Sequence, residues 1–207
     1  MLTFVTGNEY KYLSTKAKFE NKGINIGFYI YDAEELNIND IEIISRQKVL
    51  DAYEKVESPC FVIDSGFYID NYPGCPGFPG AFAKRSGISS NIEKLLKDMQ
   101  GVTNRSCRFL DCLTFYDGDR FYTFYGESRG TLGKEIRGKK GIKKMSNLWY
   151  IFIPQNCTKT LAEMSEEERE NRPDNHTSAV LEFINWYKGE YLINVNKRLL
   201  QKQKSEN

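Results

Sequence analysis

Met1-Leu2-Thr3-Phe4-Val5-Thr6-Gly7-Asn8-Glu9-Tyr10-Lys11 is the stretch from which the fold can be read outward. Leu2–Thr6 alternates like a short buried strand, and Gly7-Asn8 is a turn dipeptide. Glu9–Lys22 then places Tyr12, Leu13, Ala17 and Phe19 on or near one helical face before Gly23 stops it. Ile24–Tyr31 reads as a second strand. Ile43–Val56 reads as a second helix, with Ile44, Val49, Leu50 and Tyr53 at helical spacing, and it ends before Ser58-Pro59. Cys60–Ile63 is a continuous apolar run, the pattern of a strand buried on both faces. Strand, helix, strand, helix, strand predicts an α/β fold with a parallel or mixed sheet covered by helices.

Downstream, Asn71–Gly80 is dense in proline and glycine and must be loop. Ser89–Gln100 predicts a helix capped by Ser89 or Ser90. Arg105–Tyr116 and Arg120–Ser128 flank Asp117-Gly118-Asp119, a strong hairpin signal. Gly130–Lys144 reads as a mobile loop, Leu148–Pro154 as a short apolar segment, Met164–Asn171 as a charged helical turn and Ser178–Lys188 as a helix. The expected organisation is one domain over residues 1–188 and a C-terminal extension over 189–207, whose Tyr191–Leu200 carries enough apolar residues to pack as a helix.

Composition narrows the function. Lys+Arg 29 against Asp+Glu 28 leaves no basic excess, so no nucleic-acid partner is expected. No apolar run reaches the length of a membrane span and the N-terminal segment lacks signal-peptide architecture, so a cytoplasmic protein without a membrane partner is expected. The five cysteines have no metal-ligand spacing and read as reduced thiols. His176 is the only histidine, which rules out a two-histidine metal site within one chain and argues against Ser-His catalysis.

Chemistry can sit at few places. Thr6-Gly7-Asn8 precedes a helix whose N-terminal amides and dipole suit an anion, with Lys11 one turn in; the same residues also serve as a plain helix cap, and both readings stand. Asp64, at the end of the apolar strand in Asp64-Ser65-Gly66, is placed either to hold Mg²⁺ against phosphate oxygens or to cap the following loop. Lys139-Lys140 and Lys143-Lys144 are triphosphate contacts or solvated loop charges. Phe78, Phe82, Trp149 and Phe152 are base-stacking candidates or core.

Taken in order, these segments resemble the Ham1/inosine-triphosphate pyrophosphatase family. The carriers are Thr6-Gly7-Asn8-x-x-Lys11, Asp64-Ser65-Gly66, Gly77-Phe78-Pro79-Gly80-Ala81-Phe82, Phe152-Ile153-Pro154 and Thr160-Leu161-Ala162-Glu163-Met164-Ser165. The resemblance runs from Leu2 to about Ala179. It implies a long mixed sheet with helices, two lobes and a central cleft, usually as a homodimer. It also implies a purine nucleoside triphosphate such as ITP, dITP or XTP, cleaved with Mg²⁺ to the monophosphate and pyrophosphate. The residues carried over for nucleotide binding are Thr6, Asn8, Lys11, Ser65, Gly66, Phe78, Trp149, Arg169, Asn175 and His176; those for the metal are Asp64 and Asn37, with Asp64 also catalytic.

The family pattern is broken in several places. Its acid after the second strand falls on Asn37, its glutamate beyond the first-helix lysine on Ser14, and an aspartate on Trp149. Its S-H-R motif falls near Asp174-Asn175-His176, and a lysine in the preceding helix becomes Arg169. Glu34 or Glu35 is placed to compensate for one lost acid. These departures predict a nucleotide-binding sensor with impaired catalysis; the alternatives are an active pyrophosphatase with rearranged ligands and a structural subunit. Degenerate relatives of metabolic enzymes occur in anti-phage defence, paired with effectors such as Sir2-like NAD hydrolases, so a partner of that kind is expected by analogy with such systems rather than from these residues.

Overall fold

The computed structural model of the chain describes residues 1–34, 36–139, 146–172 and 177–205, with backbone alone for 198–200 and 202–205. β1 (Thr3–Val5), α1 (Glu9–Glu20), β2 (Gly27–Tyr29), α2 (Ile41–Val56) and β3 (Cys60–Ile69) realise the alternation expected from the sequence. They are followed by β4 (Pro79–Gly80), α3 (Ile92–Asp98), β5 (Ser106–Tyr116), β6 (Phe121–Leu132), a 3₁₀ turn (Asn147–Tyr150), β7 (Phe152–Pro154) and α4 (Glu166–Glu170). α5 (Ala179–Trp186) runs through a π-turn (Tyr187–Tyr191) into α6 (Leu192–Ser205). Among the described residues the strands form one mixed sheet in the order β2-β1-β3-β5-β6-β7, with β4 added to β3.

β3 organises this sheet. Its first residues pair in parallel with β1 (Thr3 with Cys60, Phe4 with Phe61), and its last residues pair antiparallel with β4 (Phe67 with Gly80, Tyr68 with Pro79). On its other edge it pairs with β5 along its whole length. The strand therefore continues past Asp64-Ser65-Gly66, which by propensity looked like its end.

Strand alternation divides the core. Phe61 and Phe115 pack with Phe4, Phe19 and Phe183 under α1 and α5, while Cys60 and Val62 meet Val49 and Ala52 of α2 on the opposite face. Further along, Phe67, Ile69, Leu95, Met99 and Phe152 build a second core under α3 and β7. The extension is not separate at its start, because the Tyr187 and Tyr191 rings lie 5.9 and 5.2 Å from that of Phe115.

Some boundaries differ from the sequence reading. α3 starts at Ile92 with Asn91, not Ser89 or Ser90, as the cap that accepts from Lys94 N. Gly130–Leu132 belongs to β6, held in part by β7, and residues 140–145 of the predicted loop lie outside the described residues. Leu148–Tyr150 forms a 3₁₀ turn with a strand only after it. No helix among the described residues is long and apolar enough to cross a membrane.

Arg105 ties the second core together. Its guanidinium, 7% exposed, donates to the carbonyls of Met99 (2.6 Å), Leu132 (2.8 Å) and Gly133 (2.8 Å), and burial pulls its pKa down. Arg105→Met keeps the stem but removes the donor from three carbonyls, of which that of Met99 still accepts from Val102 N at 3.3 Å, so a loss of about 2–3 kcal/mol is expected. The urea midpoint should fall at unchanged slope. Arg105→Lys should recover part of it, since an ammonium cannot reproduce the planar fork.

Candidate functional site

Between the β1 and β4 pairings, Val62–Gly66 has no strand neighbour on one edge of β3 among the described residues. That gap opens into a cavity of about 1160 Å³. Unpaired strand backbone must find other partners, and one is a side chain: Lys11 Nζ donates to the Ile63 carbonyl at 2.7 Å and to Ser65 Oγ at 3.1 Å.

The turn that delivers Lys11 is itself built. Asn8 Oδ1 accepts from Lys11 N at 2.9 Å and caps α1, and Asn8 N donates to Thr6 Oγ1 at 3.2 Å. The capping role of this motif is thus present, and it turns the start of α1 toward the gap. Gly7 allows a close approach, since a Cβ there would sit 3.2 Å from Asp32 Cβ. Asp32 in turn pairs with Lys84 at 3.0 Å across the cleft mouth, a contact too exposed to hold much energy.

Asp64 and Ser65 are consecutive in a strand and so face opposite sides of the sheet. Ser65 turns to α1, where its hydroxyl donates to Asp111 Oδ1 at 2.5 Å. Asp64 turns to α2, where Lys48 Nζ lies 2.5 Å from its Oδ1 and both side chains are 12% exposed. Its Oδ2 is buried and has no hydrogen-bond partner among the described residues. A buried carboxylate oxygen with nothing to accept is costly.

α2 is aimed by its cap. Asp40 Oδ1 accepts from the amides of Glu42 and Ile43, and the neighbouring Asn39 Oδ1 accepts from Ala81 N at 2.8 Å. Gly80, at φ 63°, must stay glycine because a Cβ would collide with that Asn39 amide. Gly66 is needed for the same kind of reason: a Cβ would sit 2.7 Å from the Tyr68 ring and 3.1 Å from the Gly80 carbonyl.

Of the residues singled out from the sequence, Thr6, Asn8, Lys11, Asp64, Ser65, Gly66 and Trp149 line this one cavity. Others lie elsewhere. Phe78 packs on Tyr72 with ring centroids 4.6 Å apart, Phe82 sits under Arg85, and Phe152 is core. Arg169 donates to the Leu161 and Met164 carbonyls and lies 5.1 Å from the Trp149 ring, so it braces the wall rather than lining the cleft. Asn37 and Glu34 are exposed and do not line the cavity. Glu35, Lys140, Lys143, Lys144, Asp174, Asn175 and His176 lie outside the described residues.

Three participants were not legible in the motifs: Lys48, Asp111 and Arg172, whose guanidinium donates to Ser128 Oγ at 3.1 Å. Lys48 precedes the buried Val49 and follows Ile44 by one turn, a cation on the inward side of an amphipathic helix. Asp111 shares strand parity with Phe109 and Leu113, an acid at an inward position.

No cluster of three His, Cys, Asp or Glu exists among the described residues, so a preformed cage for a resident ion is missing there. The donor set suits a cation that shares its ligands with a phosphate chain, with Asp64 Oδ2 as the protein atom.

Residues 2–186 match the model of the Ham1 family. The dITP/XTP pyrophosphatase of Saccharolobus solfataricus is 32% identical over 179 residues, covering 86% of this chain and 89% of that one. That of Methanopyrus kandleri is 32% identical over 186 residues, covering 89% and 95%. The fold is shared with the Staphylococcus aureus Ham1 protein, with a TM-score of 0.70 and 21% identity over 91% of this chain and 99% of that one. With a family model spanning nearly the whole sequence and relatives similar along most of their length, this chain belongs to the Ham1 family.

Proposed function

We propose that this chain binds a non-standard purine nucleoside triphosphate of the dITP or XTP type and cleaves it to the nucleoside monophosphate and pyrophosphate. The observation that carries the reading is the convergence of two devices on one gap in the sheet. The Thr6-Gly7-Asn8 turn with Lys11 offers cationic and amide donors to phosphate, and the Lys48–Asp64 pair presents a buried carboxylate oxygen beside them. The relatives named as dITP/XTP pyrophosphatases support the substrate class.

On this reading Lys11 neutralises and orients the phosphate chain. Lys48 fixes Asp64 so that one oxygen is committed and the other faces the ligand. Asp64 Oδ2 is the atom that would hold Mg²⁺ or orient the attacking water, and Mg²⁺ when bound supplies charge neutralisation at the phosphoryl group.

A second reading is favoured by Trp149. An indole, 8% exposed and edge-on to Tyr10 at 6.4 Å, stands at the cleft wall where the family resemblance places a carboxylate. It neither accepts a proton nor orients a water, so a nucleotide holder with slow turnover is the alternative to the active enzyme.

One assay separates them: pyrophosphate release from dITP by the purified chain, with and without Mg²⁺, beside a dITP titration. Mg²⁺-dependent release is expected; tight binding without release establishes the holder; neither binding nor release removes both readings. Two variants sharpen the site. Lys11→Ala should weaken dITP binding by about 1–3 kcal/mol, the loss of a charge-assisted hydrogen bond, read by calorimetry on the folded variant. Asp64→Asn should slow pyrophosphate release by at least about a hundredfold and remove the effect of Mg²⁺ on dITP affinity. An unchanged Mg²⁺ effect would reduce Asp64 to a structural partner of Lys48.

A further inference from the structure

The cleft contains a carboxylate that the phosphate-site motifs do not account for. Asp111 stands in the middle of β5, directly across the ladder from Ser65, and lines the same cavity. Ser65 donates its only proton to Asp111 Oδ1 at 2.5 Å and receives one from Lys11 Nζ at 3.1 Å. The charge of Asp111 is therefore one hydroxyl removed from the cation assigned to phosphate.

A second cation looks toward the same acid. Lys18 lies two turns beyond Lys11 on α1; burial pulls its ammonium below the ordinary value, Asp111 and Glu170 act to raise it, and the Arg172 guanidinium adds to the lowering. Asp111 is thus the counter-charge for this end of the cleft. Along the described lining, four cations (Lys11, Lys48, Lys84, Arg172) face four acids (Glu9, Asp32, Asp64, Asp111), so the formal charges of the described lining balance.

We infer that Asp111 is a charge-selecting residue, which makes this cleft favour a triphosphate carried as its divalent-cation complex over the free polyanion. The inference rests on the phosphate-site reading above. Repulsion from a fixed carboxylate scales with the charge of the ligand, and one bound divalent cation cancels about half the charge of a triphosphate. Removing Asp111 must then help the free ligand more than the complex. A role confined to holding Ser65 makes a different forecast, because an asparagine oxygen at position 111 still accepts the Ser65 proton.

The test titrates inorganic tripolyphosphate, which has no base, into the full chain and into Asp111→Asn, once with EDTA and once with Mg²⁺. The variant should bind the free ion about tenfold more tightly and the Mg²⁺ complex about threefold more tightly, the square root expected from half the charge. Should the amide variant not fold, Asp111→Ser also removes the charge and is judged by the same criterion. Equal gains in both media, or weaker binding in either, would overturn the inference. A wild-type chain that binds tripolyphosphate in neither medium overturns it together with the phosphate site. Failure of dITP alone, with the tripolyphosphate shifts as expected, overturns the purine reading and supports this one.

Discussion

Everything at the cleft follows from one interruption in hydrogen bonding. β3 is ten residues long, but β1 accompanies only its start and β4 only its end on that edge. A continuous partner strand would have saturated the backbone at Val62–Gly66 and closed the cavity. Instead the Ile63 carbonyl is left for Lys11, and both faces of the strand open into one space. The gap is kept rigid from the other edge, where β5 pairs with β3 over its full length and β6 pairs with β5 in turn. An edge backed by two long strands is unlike a loose loop, and it can hold side chains from separate helices in fixed relation.

Alternation then distributes the chemistry. Because Asp64 and Ser65 are neighbours in an extended chain, one serves α2 and the other α1, and a single dipeptide recruits two lysines from helices on opposite faces. A shift of one residue in the β3–β5 register would turn Asp64 away from Lys48 and put Ile63 or Ser65 in its place, so register and site are specified together. The Lys48–Asp64 pair is poorly exposed, and removing the lysine would leave a poorly exposed carboxylate without this cation. Burial of this kind supports stability only while both partners are present; its advantage is that the carboxylate orientation is settled before any ligand arrives.

The sequence carried the order of the early elements and the turn at Thr6-Gly7-Asn8, because period and breaker residues are local signals. Asp64 and Ser65 were visible as chemistry but not as mid-strand residues: aspartate, serine and glycine have low strand propensity, and only the ladder to β5 overrides it. Lys48 and Asp111 escaped notice because each lies inside a regular element, where a charge usually points to solvent. Their inward placement could have been read from spacing alone, Lys48 beside the buried Val49 and Asp111 in phase with Phe109 and Leu113. The family resemblance points Arg169 toward the site, and Phe78 is an aromatic in a matched loop; in the structure main-chain carbonyls hold the first and Tyr72 the second. Such commitments are non-local and leave no mark in a motif.

Trp149 and Arg169 form one packed unit. A carboxylate at the wall would need a cation or a metal opposite it; an indole needs apolar neighbours and gains from a guanidinium over its face. The structure supplies the second set: Trp149 packs in the core of Leu148, Tyr150 and Phe152, and Arg169 lies against its ring while donating to the Leu161 and Met164 carbonyls. Around Trp149 the described wall is therefore packed and apolar rather than charged. At the opposite side Asp64 Oδ2 is buried without a hydrogen-bond partner among the described residues. On the proposed function this asymmetry puts the remaining charge handling on the Lys48–Asp64 side and leaves the Trp149 side to contribute shape and apolar contact. Affinity and turnover are then separable in this cleft, since a packed wall contributes equally to the ground state and the transition state, whereas an oriented carboxylate contributes mainly to the latter.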